Sequence, residues 1–307
     1  MATSSSYAIG PSRPSPTERH DVKFSQAMIG LPAEGYVEVA RAAEAAGFSS
    51  VALSDHVVYP EKLESVYPYT PDGKPQYDPK WDFPDPWVTV GAMASATTSL
   101  RFLTNVFVLP ARNPLLVAKT VGTASRLSGG RVSLGIGAGW MREEFDLLEQ
   151  RFSARGRRMD EMVEVMRAVW AGGFVEHHGE FYDFDRLEMR PVPPAPVPFL
   201  VGGHSEVALR RAARLDGWIG VNYRLDDLEA YCATLAGYRE ELGTADRPYE
   251  IVASPLANPT PDTIERLEAM GVTTLLTSAW MSRGSNAPES VEHALDCVGA
   301  YADRWIR

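Results

Sequence analysis

The chain has 307 residues, 45% of them hydrophobic, and a formal net charge of −10. This length and composition are typical of a globular protein that buries a large core. The acidic balance argues against nucleic acid or an anionic membrane surface as partner, because both attract a cationic face. It leaves room for an anionic cofactor, which needs only a few local donors.

Cysteine usage and the N-terminal composition set further limits. Cys232 and Cys297 are too few and too far apart for a disulfide framework or a zinc cluster. No apolar run approaches the ~18 residues of a membrane-spanning helix. Residues 1–20 are rich in Ser and Pro and lack the apolar segment of a signal peptide. We therefore expect a flexible tail over 1–20, a single domain over 21–307 and a cytoplasmic protein.

Short apolar runs alternate with helically spaced stretches along the whole chain. The first helix is indicated by Tyr36, Val39, Ala40 and Ala43, with Gly47 placed to end it. In chain order, the predicted strands are 22–28, 50–54, 101–108, 131–136, 199–201, 217–221, 250–254 and 272–278. The later helices are predicted at 85–97, 117–127, 159–170, 205–212, 228–242, 262–270 and 291–298. A hairpin is predicted at 175–185.

Eight strands that alternate with eight helices predict an α/β fold, a (β/α)₈ TIM barrel with insertions. A doubly wound open sheet is less favoured, because no shift in composition marks a second domain. The long connection 57–84 is rich in Pro, Tyr and Trp, and long loops after strands often bind ligands. We expect it to form one wall of an apolar pocket, through Tyr59, Tyr67, Tyr69, Tyr77 and Trp81.

The ends of successive predicted strands carry the residues of chemical interest, and a TIM barrel places its active site there. An imidazole that titrates near neutrality can transfer a proton, so His56 is the candidate acid or base. Asp55 is placed either to hold a cofactor or to orient that histidine. The plainer alternative is that Asp55 caps the following loop and His56 faces solvent.

Two glycine-rich turns follow later strands. Gly202 and Gly203 allow close approach of a ligand, and the helix capped by Ser205 offers N–H groups to an anion. An ordinary turn with an N-cap is the alternative. The run Gly137-Ala138-Gly139 lacks the third glycine and the distal acid of a dinucleotide-binding fingerprint.

Two basic motifs are interpreted as surface features. His177 and His178 are adjacent in the predicted hairpin, so their side chains point to opposite faces and suit no shared metal ion. Arg155, Arg157 and Arg158 begin a long helix, where they either reach an anionic cofactor or form a solvated face. The solvated face is favoured.

Four segments, in this order, resemble the luciferase-like monooxygenase superfamily, most closely its coenzyme F420-dependent oxidoreductase branch. They are SGGRVSLGIGAGWMREEF, RFSARGRRMDEMVEVMRAVW, HHGEFYDFD and PFLVGGHSEVALRRAARLDGWI. The resemblance extends from about Val22 onward. One sugar-phosphate dehydrogenase group of that branch has an acidic glutamate where this chain has Trp140, which argues against that substrate and that proton transfer.

The resemblance implies a homodimer that binds a deazaflavin at the barrel mouth. It places a phosphate near the second glycine turn, a flat ring against the first, and a non-prolyl cis peptide bond at Asn105-Val106 beneath that ring. The implied cofactor-binding residues are Asp55, Asn105, Val106, Gly137, Ala138, Gly139, Gly202, Gly203, His204 and Ser205.

The implied activity is hydride transfer between coenzyme F420 and a small hydrophobic substrate, with His56 as acid or base and Asp55 beside it. Two alternatives stay open. One is an FMN-dependent monooxygenase that uses reduced flavin and O₂, and the other is a barrel that binds a ligand without catalysis.

Overall fold

A computed structural model describes residues 22–307, so the predicted tail lies outside the described residues. Eight of its strands are parallel and close into a barrel, in the order β1-β2-β3-β5-β8-β9-β10-β11 and back to β1. The strands are β1 (Lys23–Ala27), β2 (Ser50–Leu53), β3 (Arg101–Thr104), β4 (Phe107–Val108), β5 (Val132–Gly137), β6 (Val175–His178), β7 (Asp183–Leu187), β8 (Phe199–Gly202), β9 (Gly217–Tyr223), β10 (Glu250–Pro255) and β11 (Thr274–Thr277). The predicted TIM barrel is confirmed, and the open sheet is excluded.

The helices surround this barrel, and several begin at residues suited to cap them. Asp85 accepts hydrogen bonds from Trp87 N and Val88 N at the start of α2, and Asn113 caps α3 in the same way. The left-handed Gly47 (φ 93°) ends α1, as predicted. The helices are α1 (Tyr36–Ala46), α2 (Pro86–Ala96), α3 (Pro114–Leu127), α4 (Arg142–Leu147), α5 (Arg155–Trp170), α6 (Glu206–Arg214), α7 (Leu225–Glu241), α8 (Pro261–Ala269) and α9 (Val291–Trp305), with 3₁₀ turns at Ala33–Gly35, Leu109–Ala111 and Met281–Arg283.

The barrel interior is filled by side chains and is not a pore. One buried cluster joins residues from six different strands: Ala52, Leu103, Leu200, Ile219, Val252 and Leu276. A larger cluster packs the outer faces of the strands against the helices. Because the interior is solid, ligands can enter only at an end of the barrel.

The third predicted strand is divided in two. The peptide bond Asn105-Val106 lies between β3 and β4 and is cis, as the family resemblance implies. The short helix α4 was not predicted, since its six residues give too little periodicity. Both cysteines are buried and free.

The predicted hairpin forms from β6 and β7, but its histidines are not both surface residues. His177 Nε2 lies 3.2 Å from Glu161 Oε1, and its side chain is only 17% exposed. Glu161 also accepts hydrogen bonds from Phe181 N and Tyr182 N, so this contact fixes the hairpin to α5. His178 is exposed and pairs with Asp183. In residues 22–307 no helix is long and apolar enough to cross a membrane.

Candidate active site

Two cavities open among the C-terminal ends of the barrel strands. The smaller, of about 220 Å³, lies between the N-termini of α5 and α6. The larger, of about 320 Å³, lies beside the loop 57–84 and the ends of β9, β10 and β11. Most of the site residues predicted from sequence lie in or beside one of these two cavities.

The smaller cavity combines small residues with a cation. Ala138, Gly202 and Ser205 line it together with Arg155 and Arg211. The Ser205 hydroxyl accepts a hydrogen bond from Ala208 N at 3.3 Å and so caps α6, as predicted. Arg211 is neutralised by an ion pair with Asp160. Arg155 therefore supplies the net positive charge of this cavity.

Arg155 lacks a carboxylate partner among the described residues. Its Nε donates to the Gly139 carbonyl oxygen at 2.9 Å, and its guanidinium stacks 3.8 Å from the Phe152 ring centroid. Arg142 approaches the same ring, at 4.6 Å. Burial and the nearby Arg142 charge lower the pKa of Arg155, and an opposite charge placed here would offset both effects.

The three arginines at the start of α5 differ from the predicted solvated face. Arg157 is exposed and pairs with Glu180, as expected. Arg158 is buried and donates to the Pro110 carbonyl oxygen at 2.5 Å, which holds the turn after β4. Arg155 faces the cavity. The helix thus presents each arginine to a different environment, which a run of charges in sequence does not reveal.

The larger cavity is lined on one side by Tyr67, Tyr77 and Trp81, all from the loop that was expected to form an apolar wall. The remaining walls are more polar than predicted. They include the polar side chains of Ser54, Gln76, Asn105, Asn222, Ser254, Asn258, Thr277, Ser278 and Ser282. The cavity therefore suits a ligand that has both a flat apolar surface and polar edges.

His56 lies next to this cavity between two hydrogen-bonding partners. Its Nδ1 is 3.3 Å from Glu144 Oε2 on α4, and its Nε2 is 3.2 Å from the Tyr77 hydroxyl. The imidazole also packs edge-on against Phe83 and Trp140. It is 13% exposed, so the solvent-facing alternative is wrong.

Glu144 is the buried carboxylate that holds His56. It is 1% exposed, and its second oxygen accepts a hydrogen bond from Val57 N at 2.6 Å. Burial raises the pKa of Glu144, but the contact with His56, the Val57 amide and the Arg112 charge outweigh it and lower the pKa overall. Glu144 is therefore ionised and can stabilise a protonated imidazole.

Asp55 does not orient His56. Its carboxylate forms a two-pronged ion pair with Arg112, at 2.7 and 2.8 Å, and accepts a hydrogen bond from Val108 N at 2.9 Å. It is only 5% exposed. Burial raises the pKa of Asp55, and the Arg112 charge opposes this rise. Asp55 thus fastens the end of β2 to the turn after β4.

Two of the other predicted cofactor residues, Gly137 and Gly202, pack on the side chain of Val106. A Cβ atom added to Gly137 or Gly202 would lie 2.6 or 2.8 Å from a Val106 methyl group, so both positions need glycine. The carbonyl of Gly203 (φ 112°) accepts from Trp218 Nε1. His204 Nδ1 is 2.9 Å from the Tyr223 hydroxyl, and its ring packs against Tyr69. Four of the predicted cofactor residues line the cavities: Asn105 the larger, and Ala138, Gly202 and Ser205 the smaller.

Sequence reasoning missed Glu144, Arg112 and the hydrogen-bonding role of Tyr77. Arg112 and Tyr77 reach the site from a turn and from the middle of a long loop, positions that no periodicity marks. Glu144 had a usable signal: an acid in the short GWMREEF stretch directly after a strand end. Its partner His56 is 88 residues away, and sequence spacing alone does not pair them.

Comparison with known proteins places the chain in a family. The sequence model of the luciferase-like monooxygenase family matches residues 16–293. The chain belongs to this family. It is 42% identical over 255 residues to an uncharacterized protein of Mycobacterium tuberculosis, with 83% of this chain and 88% of that one covered.

Two further matches carry named cofactors. An F420-dependent secondary alcohol dehydrogenase, solved with an F420-acetone adduct, superposes with a TM-score of 0.70 at 18% identity, covering 93% of this chain and 99% of that one. An FMNH(2)-dependent dimethylsulfone monooxygenase of Pseudomonas fluorescens is 29% identical over 153 residues, 46% of this chain and 42% of that protein. The chain is therefore a luciferase-like oxidoreductase; of these two similar proteins, one is F420-dependent and the other FMNH(2)-dependent.

Proposed function

We propose that this protein transfers a hydride between the deazaflavin coenzyme F420 and a small organic substrate. One observation carries the proposal: a buried Glu144–His56 pair shares a barrel mouth with a cationic cavity, in which no carboxylate of residues 22–307 balances Arg155. The Glu144–His56 pair suits transfer of the proton that accompanies a hydride, and the cationic cavity suits binding of a phosphate.

The residues at the mouth fit such a cofactor. In the smaller cavity, the helix N-termini of α5 and α6 and the Arg155 guanidinium would hold the phosphate. Beside the smaller cavity, which Gly202 lines, the close packing of Val106 on Gly137 and Gly202 would offer a surface for a flat ring. A bound deazaflavin supplies the hydride donor or acceptor; the chain supplies binding, orientation and proton transfer.

The protein's own contribution to catalysis lies in the His56 imidazole. Glu144 keeps one edge of the ring occupied and stabilises the imidazolium form, so the other edge can accept or return a proton. Aromatic side chains exclude water around it, because Tyr77, Phe83 and Trp140 all pack on the imidazole. A barrel without catalytic activity would have no use for this arrangement.

An FMN-dependent monooxygenase is the second candidate, supported by the match to the dimethylsulfone enzyme. The same cavity would accept the FMN phosphate, but the reaction would consume reduced flavin and O₂. Fluorescence titration of the purified protein with coenzyme F420 and, separately, with FMN distinguishes the two. We expect saturable F420 binding and at least tenfold weaker FMN binding; the reverse order would refute the first candidate.

A matched pair of arginine variants tests the phosphate site. Arg155→Met should weaken F420 binding by about 10- to 100-fold, because a charge-assisted hydrogen bond contributes about 1.5–3 kcal/mol. Arg157→Met on the same helix should leave affinity unchanged, since Arg157 faces solvent. Equal effects of the two substitutions would show that the phosphate binds elsewhere. Arg155→Lys, which keeps the charge, should recover part of the loss.

We further propose a homodimer, on the family resemblance alone. Light scattering coupled to size-exclusion chromatography checks the oligomeric state: a mass near twice 33.7 kDa supports the dimer, and the monomer mass contradicts it.

A further inference from the structure

We propose that Tyr77 is the residue that exchanges the proton with the substrate, and that His56 and Glu144 form a relay behind it. This inference rests on the proposed hydride-transfer function and adds to it the substrate class and the contacting residue. The substrate class is an alcohol, in which the carbon that loses the hydride bears a hydroxyl group; the product is the corresponding carbonyl compound.

The position of Tyr77 is the first argument. Tyr77 lines the larger cavity, whereas His56 is not among its lining residues. The Nε2 atom of His56, the edge left free by Glu144, is occupied by the Tyr77 hydroxyl at 3.2 Å. A substrate in this cavity therefore meets the phenol oxygen before it can reach the imidazole.

The direction of the hydrogen bonds is the second argument. An ionised Glu144 can only accept, so it fixes the imidazole proton on Nδ1. The bare Nε2 must then accept, and Tyr77 donates its proton to it. The phenol oxygen is left with free lone pairs, which can receive a hydrogen bond from a substrate hydroxyl.

This series of hydrogen bonds moves one proton without leaving a charge on the tyrosine. When the substrate is oxidised, its carbon gives a hydride to the deazaflavin and its hydroxyl proton passes to the Tyr77 oxygen. At the same time, the original phenolic proton passes to His56 Nε2, which becomes an imidazolium opposite the Glu144 carboxylate. In the reduction of a carbonyl compound, every transfer runs backwards. A hydride, which carries two electrons, and one proton leave the alcohol, and the atoms balance.

The surroundings favour a protonated tyrosine at rest. Burial raises the pKa of Tyr77, and the neighbouring Tyr67, Tyr59 and Glu144 raise it further. The ionisable groups around the relay are thus two tyrosines of the same loop, Glu144 on α4 and, beyond it, Arg112, whose charge helps to keep Glu144 ionised. A phenol held neutral in this way can pass a proton on but does not become a phenolate.

The histidine tautomer in the cofactor-free protein tests the relay independently of activity. The chain has six histidines, so ¹⁵N-histidine labelling with His56→Gln identifies the resonances of His56. We expect the Nδ1–H tautomer in the wild type. Tyr77→Phe should move the His56 Nε2 resonance, because the donor is lost while the ring remains. Glu144→Gln should move the His56 Nδ1 resonance, because the ionised acceptor is replaced by a neutral amide. An Nε2–H tautomer in the wild type would overturn the proposal.

Tyr59→Phe is the matched control. Tyr59 packs edge-on against Tyr77, with ring centroids 5.9 Å apart, and its hydroxyl makes no contact with His56 among the described hydrogen bonds. We expect no change in the His56 resonances. If Tyr77→Phe gave spectra identical to those of the wild type and of this control, the hydrogen bond to the imidazole would not exist and the relay would be refuted.

Turnover of an alcohol by the F420-loaded enzyme gives the second measurement. Tyr77→Phe should lower kcat by about 100-fold and change KM little, since general acid–base catalysis contributes about 10²- to 10⁴-fold. An unchanged kcat would remove Tyr77 from the proton path. Failure of the proposed function would give a different result, because the protein would not bind F420. The tautomer experiment would still report whether Tyr77, His56 and Glu144 are joined by hydrogen bonds.

Discussion

Substituting Asp55 by alanine tests whether this residue is a structural anchor or a ligand of the cofactor. The side chain makes three hydrogen bonds, two to Arg112 and one to Val108 N. All three join β2 to the segment after β4. If Asp55 is an anchor, its removal should reduce stability far more than it reduces cofactor affinity.

The expected magnitude follows from burial. Breaking a buried ion pair by removing one partner costs about 3–5 kcal/mol, because the remaining charge is left without compensation. The Arg112 side chain is 19% exposed and stacks over Phe107 at 4.3 Å, so water reaches it only in part. The Val108 amide also loses its acceptor. We therefore expect Asp55→Ala to lower the free energy of unfolding by about 3–5 kcal/mol.

Urea denaturation, followed by tryptophan fluorescence and far-UV circular dichroism, measures this change; coincident curves would justify a two-state analysis. Asp226→Ala is the control, since it breaks an exposed ion pair with Arg266 and should leave the midpoint almost unchanged. A loss below about 1 kcal/mol in Asp55→Ala would refute the anchor. Wild-type stability combined with weakened F420 binding would instead show that Asp55 contacts the cofactor.

Two further predictions concern the barrel core and acid stability. Leu200→Ala should destabilise the protein by about 2–5 kcal/mol in the same denaturation assay, because Leu200 is fully buried in the barrel interior; an effect below about 1 kcal/mol would mean that the interior is loosely packed. Burial raises the pKa of Glu143, but hydrogen bonds from Ser65 and Glu64 outweigh this effect and lower the pKa from 4.5 to about 2. A carboxyl group whose pKa is lowered in the folded state stabilises the fold at pH values above its pKa in the unfolded state. This stabilisation is lost as the pH falls toward its pKa in the folded state. The difference in unfolding free energy between wild type and Glu143→Gln should therefore shrink between pH 4.5 and 2, and a constant difference would contradict this assignment.

The barrel could be predicted from sequence because its signal is repeated eight times. Each strand is a short buried run followed by a helix with a regular apolar face, so an error of a few residues in one unit does not alter the topology. The failures occurred where a segment is short or held by distant partners. Helix α4 has six residues, and the strand predicted at 101–108 is interrupted at Asn105 by backbone geometry that no residue pattern encodes.

The site was predictable in location but not in its connections. His56 and the glycine turns stand at strand ends, and parallel strands bring those ends together. Which side chain faces which partner depends on loops that fold back over the mouth. Asp55 and His56 are adjacent in the sequence, yet Asp55 pairs with Arg112 and His56 pairs with Glu144. Neighbouring residues at a strand end point in opposite directions, and spacing cannot tell which direction leads to the ligand.

The two cavities are built by different parts of the chain, and this separation has a practical consequence. The smaller draws on α5, β8, α6 and the residue after β5, whereas most of the larger is contributed by the loop 57–84, by β9 to β11 and by the segments after β10 and β11. Loop 57–84 can therefore be exchanged for one of another sequence, provided that it retains Tyr77 beside His56 and the contacts to Glu143 and Glu144, while the proposed anion site stays intact. Loop grafting offers a way to redirect this scaffold to new compounds without rebuilding that proposed site.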